Sequence, residues 1–369
     1  MCKNSQWLCL KMTSNKTENT TWFAENLIAW QRQYGRHDLP WQSSDPYRVW
    51  LSEIMLQQTQ VSTVRDYYPR FIAAFPTVQA LADADEDAVL SLWQGLGYYS
   101  RARHLHNAAK QVVNDFGGVF PQTRIQLETL RGVGRSTAAA IAAFAFNKRE
   151  TILDGNVKRV LCRVFALDGD LNDKTFTDQL WALAEKLLPE NETDMSAYTQ
   201  GLMDLGATLC KRNKPECAVC PMINHCLAYR HEQQAQLPRK KTATPVQEVF
   251  WYWLIIRRGD GAVWLEKRPA KGIWGGLWCV PCVDGFQAAL DYGALFGVAA
   301  EEWQEMPPFK HRLTHRLLHI TPLLVAVDAV PSLSISGQWL TAASWTDLGL
   351  PKPLAAYLSK ITGKNNGLA

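Results

Sequence analysis

Apolar residues recur at three- and four-residue spacing through the first 230 positions. Leu51, Ile54 and Met55 keep that rhythm, as do Leu180, Leu183, Ala184 and Leu187, and the spacing predicts amphipathic helices. Pro46, Pro76, the run Gly117-Gly118-Val119-Phe120-Pro121, Gly155 and Pro189 punctuate the pattern and mark breaks between helices. Residues 231–245 are polar, basic and proline-flanked, which suits an exposed linker. The period then changes. Residues 249–256 form a β-branched and aromatic run, and 262–266 follow a Gly-Asp-Gly turn, so the two predict a hairpin. Residues 277–280 and 318–327 read as further strands, 286–295 and 354–361 as helices. The expectation is a multidomain chain: an extension over 1–20, an all-α domain over 21–230, the linker, an α+β domain with a mixed sheet over 246–361, and a tail over 362–369.

Composition agrees with two globular bodies. The chain has 369 residues, 47% hydrophobic and 20% charged, with a net charge of +4. That mild excess permits a polyanionic partner without demanding one. No apolar run approaches the roughly 18 residues of a membrane span. Met1 and Met12 are alternative starts, and the short apolar run between them does not make a signal peptide. The expected address is the cytoplasm of a bacterium.

Nine cysteines at uneven spacing fit a reducing interior. Four of them, Cys210, Cys217, Cys220 and Cys226, follow the spacing Cys-x6-Cys-x2-Cys-x5-Cys. Four thiolates that close together can hold either a [4Fe–4S] cluster or a structural zinc ion. Zinc sites commonly use two Cys-x2-Cys pairs, and only one pair here has that spacing, which favours iron–sulfur.

Gly132-Val133-Gly134-Arg135-Ser136-Thr137 stands between a short apolar stretch and an alanine-rich helix over 138–146. Two glycines there allow a tight hairpin whose outward backbone N–H groups seat a phosphate, and Arg131 and Arg135 point to DNA over an ordinary helix–helix turn. Glu53 interrupts the apolar stretch Trp50-Leu51-Ser52-Glu53-Ile54-Met55. A carboxyl at the margin of an apolar helix is set to hold a proton near neutral pH, while the plainer reading is a solvated glutamate. Gln57 and Gln58 follow, as amides able to wedge between or bond base edges, or as a polar helix end. Asp154 precedes Gly155-Asn156-Val157-Lys158. It reads as a helix cap, a role compatible with chemistry because helix-terminal amides keep a carboxylate ionised. A proton donor with an ionised carboxylate is the pair that glycosidic cleavage needs. In Gly95-Leu96-Gly97-Tyr98-Tyr99-Ser100-Arg101-Ala102-Arg103, paired aromatics and two arginines fit a stacking wedge with phosphate contacts, or a turn with core tyrosines.

Taken together these segments resemble the helix-hairpin-helix DNA glycosylases of the endonuclease III superfamily, and within it the MutY-type adenine glycosylases. The carriers are residues 50–60, 95–103, 132–138, 152–160 and the cysteine quartet. The resemblance implies that adenine mispaired with 8-oxoguanine or guanine in double-stranded DNA is flipped out and excised. It implies that Glu53 protonates adenine N7, that Asp154 stabilises the sugar cation, and that Asn156 orients the site. It implies that Gln57 and Tyr98 probe and wedge around the lesion and that the cysteines hold a [4Fe–4S] cluster; Gln58, Arg101, Gly132, Gly134, Arg135, Ser136 and Lys158 are expected to contribute to the DNA surface.

Ser136 stands where strand-cutting superfamily members place a Schiff-base lysine, which implies a monofunctional enzyme. Lys158 is close enough in sequence to Asp154 to give adventitious imine trapping. Arg131 departs from the family's proline. Residues 246–361 resemble the Nudix-related C-terminal domain of these enzymes, through Trp274-Gly275-Gly276-Leu277-Trp278. A Nudix hydrolase needs a glutamate-rich magnesium segment, and residues 282–294 hold no glutamate. This domain is therefore expected to read the lesion through Leu313-Thr314-His315. Cys279 and Cys282 form a second Cys-x2-Cys pair, read as buried strand thiols. The alternatives are a bifunctional pyrimidine-lesion glycosylase, opposed by Ser136; a non-catalytic iron–sulfur DNA-binding protein, opposed by Glu53 and Asp154; and a nucleotide pyrophosphatase, opposed by the missing carboxylates. The expected state is a monomer without membrane contact.

Overall fold

The computed structural model describes residues 20–239, 245–328, 335–345 and 347–361. The expected N-terminal extension, most of the linker's basic centre and the C-terminal tail lie outside the described residues. The chain divides into two compact units, Met1–Arg36 with Arg149–Arg239, and His37–Lys148 with Lys240–Ala369. The expected boundary at 231–245 contains one of the three cuts. The other two fall inside the stretch expected to be one helical domain.

The first unit is helical. Its helices are Thr21–Tyr34, Gly155–Val164, Lys174–Lys186, Met195–Asp204 and Leu227–Arg230. The Thr21–Tyr34 helix packs on Met195–Asp204, with buried Phe23 holding its ring 6.4 Å from that of Tyr198. Gly201 permits the close approach, because a Cβ there would lie 2.9 Å from the Leu27 Cγ. Asp204, wholly buried, accepts from the Arg36 Nε at 2.8 Å and the Gln200 Nε2 at 2.8 Å. Right after it the chain widens into a π turn over Leu205–Leu209, with the Cys210 N–H donating to the Leu205 carbonyl at 2.7 Å. Such turns are rare and cluster at functional sites.

The second unit joins helices to a sheet through one continuous core. Trp50, Ile54, Leu90, Trp93, Leu105 and Ile141 come from the helices, and Trp253, Ile255, Leu277 and Leu354 from the sheet side. The packing is tight: a Cβ on Gly349 would lie 2.7 Å from the Leu90 Cβ. The Pro46–Leu56 helix begins where Asp45 accepts from the Tyr47 and Arg48 N–H groups, with Pro46 in the first turn, where its missing donor is harmless. It packs on the Arg135–Phe146 helix, whose Ala138–Ala143 face is buried throughout.

The sheet contains β1 (Gln247–Arg258), β2 (Val263–Lys267), β3 (Trp278–Cys279), β4 (Cys282–Val283), β5 (Gln304–Glu305), β6 (Phe309–Arg312), β7 (Arg316–Val327) and β8 (Gln338–Leu340). It is mixed, as expected. β1 and β7 run parallel with Gln247 opposite Arg316 and Arg258 opposite Val327. β2 pairs antiparallel with β1 after the Gly259-Asp260-Gly261 turn, and β6 pairs antiparallel with β7. Trp253 to Ile256 are buried without alternation, as a strand covered on both faces must be. The short strands β4, β5, β6 and β8 were not legible, since two to four residues carry no period. Cys279 is buried on β3 and Cys282 half-buried on β4, their sulfurs 3.7 Å apart.

Candidate active site

Glu53 sits on the Pro46–Leu56 helix, half-buried among the buried Ser52, Ile54 and Met55. At the helix end the Gln57 Nε2 donates to the Gly132 carbonyl at 3.4 Å and to the Thr137 Oγ1 at 3.3 Å. That side chain ties the Glu53 helix to the glycine hairpin. Gln58 is exposed with φ of 58°, a left-handed conformation that non-glycine residues seldom hold without a reason.

The hairpin has the expected form. Val133 is buried and its N–H donates to the Leu130 carbonyl. Gly132 has φ of 79°, and a Cβ there would lie 2.9 Å from the His104 Cβ. Only glycine satisfies both conditions. Gly134 caps the Arg135–Phe146 helix and is exposed, while Arg135 and Ser136 are half-buried at its first turn. The backbone amides of this turn stand at a helix N-terminus, a geometry able to seat an anion.

Tyr98 is 43% exposed with φ of 48°. Its hydroxyl lies 2.6 Å from the Thr314 Oγ1. Thr314 and His315 are exposed in the turn between β6 and β7. A cavity of about 740 Å³ opens between these segments and is lined by Tyr98, Thr314, His315 and Trp274 among others. A wedge candidate and a reader candidate far apart in sequence thus share one cavity.

Arg101 corrects the sequence reading. It is only 7% exposed and does not face outward to a phosphate. Its Nη1 donates to the carbonyls of Ile54, Met55 and Gln57, and its Nη2 to the Thr59 Oγ1 and the carbonyls of Leu96 and Gly97. It therefore caps the C-terminus of the Glu53 helix and fixes the loop before Tyr98. Burial pulls its pKa down to about 10, which leaves it a cation at neutral pH. The Arg103 guanidinium likewise binds carbonyls, those of Gly275 and Ala270.

In the first unit Asp154 caps the Gly155–Val164 helix. It accepts from the Asn156 N–H at 2.9 Å and the Val157 N–H at 2.8 Å. The side chain remains exposed, so one carboxylate both caps the helix and faces outward. The Asn156 Oδ1 accepts from the Arg159 Nη2 at 2.9 Å, and the same nitrogen donates to the Gly206 carbonyl at 2.8 Å. A Cβ on Gly206 would lie 2.7 Å from the Asn156 Cβ. The Asp154 turn is thereby packed on the π turn that leads into the cysteines. Lys158 is half-buried on the same helix.

The four cysteines line one cavity, whose remaining wall is largely apolar and includes Val160, Val164, Leu205 and Met222. Among the described residues no group of three or more His, Cys, Asp or Glu side chains is gathered tightly enough to read as a closed metal site. The donor set nevertheless fits a thiolate-bound centre: four sulfurs, an apolar wall, and the Arg163 Nη1 donating to the Cys210 Sγ at 3.4 Å. Burial pushes the Cys220 thiol up to about 12, and the other three cysteines add to the rise. Only a bound cation would hold four thiolates this close together. Arg159 and Arg163 hold the loop through the carbonyls of Cys210, Lys211 and Arg212. The sequence reading missed both; their i, i+4 spacing on an otherwise apolar helix face was the available signal. Arg212 and Lys214 are exposed, while Lys211 is paired with Glu216.

No helix among the described residues is long and apolar enough to cross a membrane. Residues 51–186 match the HhH-GPD superfamily of base excision DNA repair proteins, and residues 252–360 match the NUDIX domain. An adenine DNA glycosylase of Buchnera aphidicola subsp. Baizongia pistaciae is 36% identical over 92% of this chain and 96% of its own. An adenine DNA glycosylase of Mus musculus is 38% identical over 72% of this chain and 61% of its own. The structure of a thermostable thymine-DNA glycosylase superposes with a TM-score of 0.52 at 30% identity, covering 57% of this chain and 97% of its own. A non-covalent endonuclease III–DNA complex shares the fold at 18% identity and a TM-score of 0.50, covering 60% of this chain and 100% of its own. With the helix-hairpin-helix body, the Nudix-like sheet and a relative matched along nearly its whole length, the chain belongs to the adenine DNA glycosylase family of base-excision repair enzymes.

Proposed function

We propose that this enzyme removes adenine placed opposite 8-oxoguanine, or opposite guanine, in double-stranded DNA, and that it does so as a monomer without cutting the strand. The observation that carries the lesion reading is the contact between the Tyr98 hydroxyl and the Thr314 Oγ1 at 2.6 Å, on the rim of one cavity. An aromatic ring held outward by a left-handed backbone is suited to enter a base stack, and the hydroxyl and imidazole of Thr314 and His315 are suited to bond a base edge. The glycine hairpin, with Gly132, Gly134, Arg135 and Ser136, supplies amides to the phosphate backbone. Gln58 and, separately, Lys158 are further DNA contacts. Action on chromosomal DNA implies a cytoplasmic, nucleoid-associated enzyme.

The chemistry follows from the two acids. Glu53 donates its proton to N7 of the flipped adenine, the electrons of the C1′–N9 bond move into the base, and adenine leaves. The cation left on the sugar is stabilised by Asp154, which Asn156 holds in place. Water then adds to C1′ and returns its proton to Glu53. Ser136 offers no amine for a Schiff base, so the abasic strand stays intact.

Cys210, Cys217, Cys220 and Cys226 would hold a [4Fe–4S] cluster. When bound, it supplies charge compensation and a fixed loop rather than electrons for the reaction. The four thiolates, with Arg159 and Arg163, keep the π turn in register with Asn156.

Duplexes carrying A opposite 8-oxoguanine, A opposite G, or an oxidised pyrimidine test the reading. Alkali-dependent breaks at A opposite 8-oxoguanine, fastest of the three, are expected. Breaks without alkali at the oxidised pyrimidine would overturn it. Glu53→Gln is expected to bind the mispaired duplex and to leave adenine in place.

A further inference from the structure

The cavity between Tyr98 and Thr314 has two walls from distant parts of the chain, and something must fix its width. One wall is the start of the Ser100–Phe116 helix, whose first turn carries Arg103. The other is the turn between β6 and β7. Arg103 reaches from the first wall to a third segment, the 270–275 turn. Its Nη2 donates to the Ala270 carbonyl at 2.8 Å and its Nη1 to the Gly275 carbonyl. A Cβ on Gly276 would lie 2.9 Å from that Nη1, so the guanidinium lies directly on this backbone. Trp274, from the same turn, packs its ring 5.9 Å from the His311 ring on β6. Three residues later comes Thr314. A continuous path of contact therefore runs from Arg103 through the 270–275 turn and Trp274 to the reader turn. A second tie lies beside it: Asp87 accepts from the Lys267 Nζ at 2.7 Å and the Trp278 Nε1 at 3.1 Å.

We infer that Arg103 is a positioning residue that sets the spacing of Tyr98 and Thr314, so that lesion preference depends on it and adenine release from an unoxidised mispair does not. The inference rests on the lesion-reading assignment above. A planar guanidinium can serve two carbonyls at once, and a lysine ammonium matches that fork poorly. A small misplacement of groups remote from the reaction is enough to weaken recognition without touching the acids.

Single-turnover rates at rising enzyme concentration, on A opposite 8-oxoguanine and on A opposite G, separate the maximal rate from the half-saturating concentration. For Arg103→Ala the maximal rate on A opposite G should stay within about twofold of the parent. The preference for 8-oxoguanine over guanine should fall by about tenfold or more. Arg103→Lys should restore part of it. Asp87→Asn, which weakens the second tie, should move the preference in the same direction, and it provides the reading if Arg103→Ala does not fold. A preference unchanged within about twofold in folded Arg103→Ala overturns the inference, as does an equal loss on both substrates; if Arg103→Ala does not fold, an unchanged preference in Asp87→Asn overturns it. A parent enzyme without any preference for 8-oxoguanine would sink the lesion-reading assignment and this inference with it, a failure visible before any substitution is made.

Discussion

Arg101 offers the clearest measure of how much a single buried side chain holds in this unit. Replacing it with methionine keeps volume and helix propensity but removes every donor. Six acceptors lose their partner: three carbonyls at the end of the Glu53 helix, one threonine hydroxyl, and two carbonyls of the Tyr98 loop. The two Nη nitrogens carry only four hydrogens between them, so about four full bonds are lost at about 1 kcal/mol each. A loss of about 4 kcal/mol is a large part of the roughly 5–15 kcal/mol that keeps a domain folded. At a urea slope of about 3 kcal/mol/M or somewhat more, the unfolding midpoint should fall by about 1 M. Arg101→Lys should fall in between. DNA affinity, measured at several salt concentrations where the variant is folded, should keep its salt slope. If Arg101→Met instead leaves the midpoint nearly unmoved and lowers the salt slope by about 0.9, the value of one phosphate contact, then Arg101 faces DNA and the structural assignment is wrong.

Other expectations follow from single features. Burial, with Lys110 close by, holds the His106 imidazole below its ordinary 6.5. Folded protein then binds fewer protons than unfolded, so stability is full above pH 6.5 and declines as the pH drops below it. Urea midpoints measured from pH 7 to about pH 5 should decline less steeply in His106→Gln than in the parent; parallel profiles would remove His106 from the account. Gly132→Ala should cost about 1–3 kcal/mol, from its positive φ and its approach to His104, and should weaken DNA binding equally across sequences; a sequence-dependent loss would argue against a backbone contact. Cys220→Ala should lower bound iron and sulfide in purified protein; full iron content, or zinc in place of iron in the parent, would discard the cluster assignment.

Long-period features were legible in the sequence and short ones were not. The Glu53 helix, the glycine hairpin and the β1 and β7 runs announce themselves through repeated spacing. Asp154 as a cap needed only its place before Gly155. Arg101 and Arg103 were misread because a pair of arginines beside tyrosines has the same composition whether it faces phosphate or carbonyl. Burial decides between the two, and burial depends on residues as far as 47 and 167 positions away. The same holds for Arg159, whose partner Gly206 lies 47 residues on. The partition into compact units was equally hidden, because the core that joins Leu90 to Leu277 and Gly349 has no local signal.

The first unit closes only when the Thr21–Tyr34 helix finds a partner synthesised much later. Arg36 and Asp204 are 168 residues apart. At a translation rate of about 5–20 residues per second, the Thr21–Tyr34 helix waits about 8–34 s on the ribosome before the Met195–Asp204 helix can cover its apolar face. Its Phe23, Leu27 and Ile28 side chains lack their native cover for that interval. The interleaved chain path thus leaves an apolar helix face without its native partner during synthesis, and slower translation downstream of residue 36 lengthens that interval.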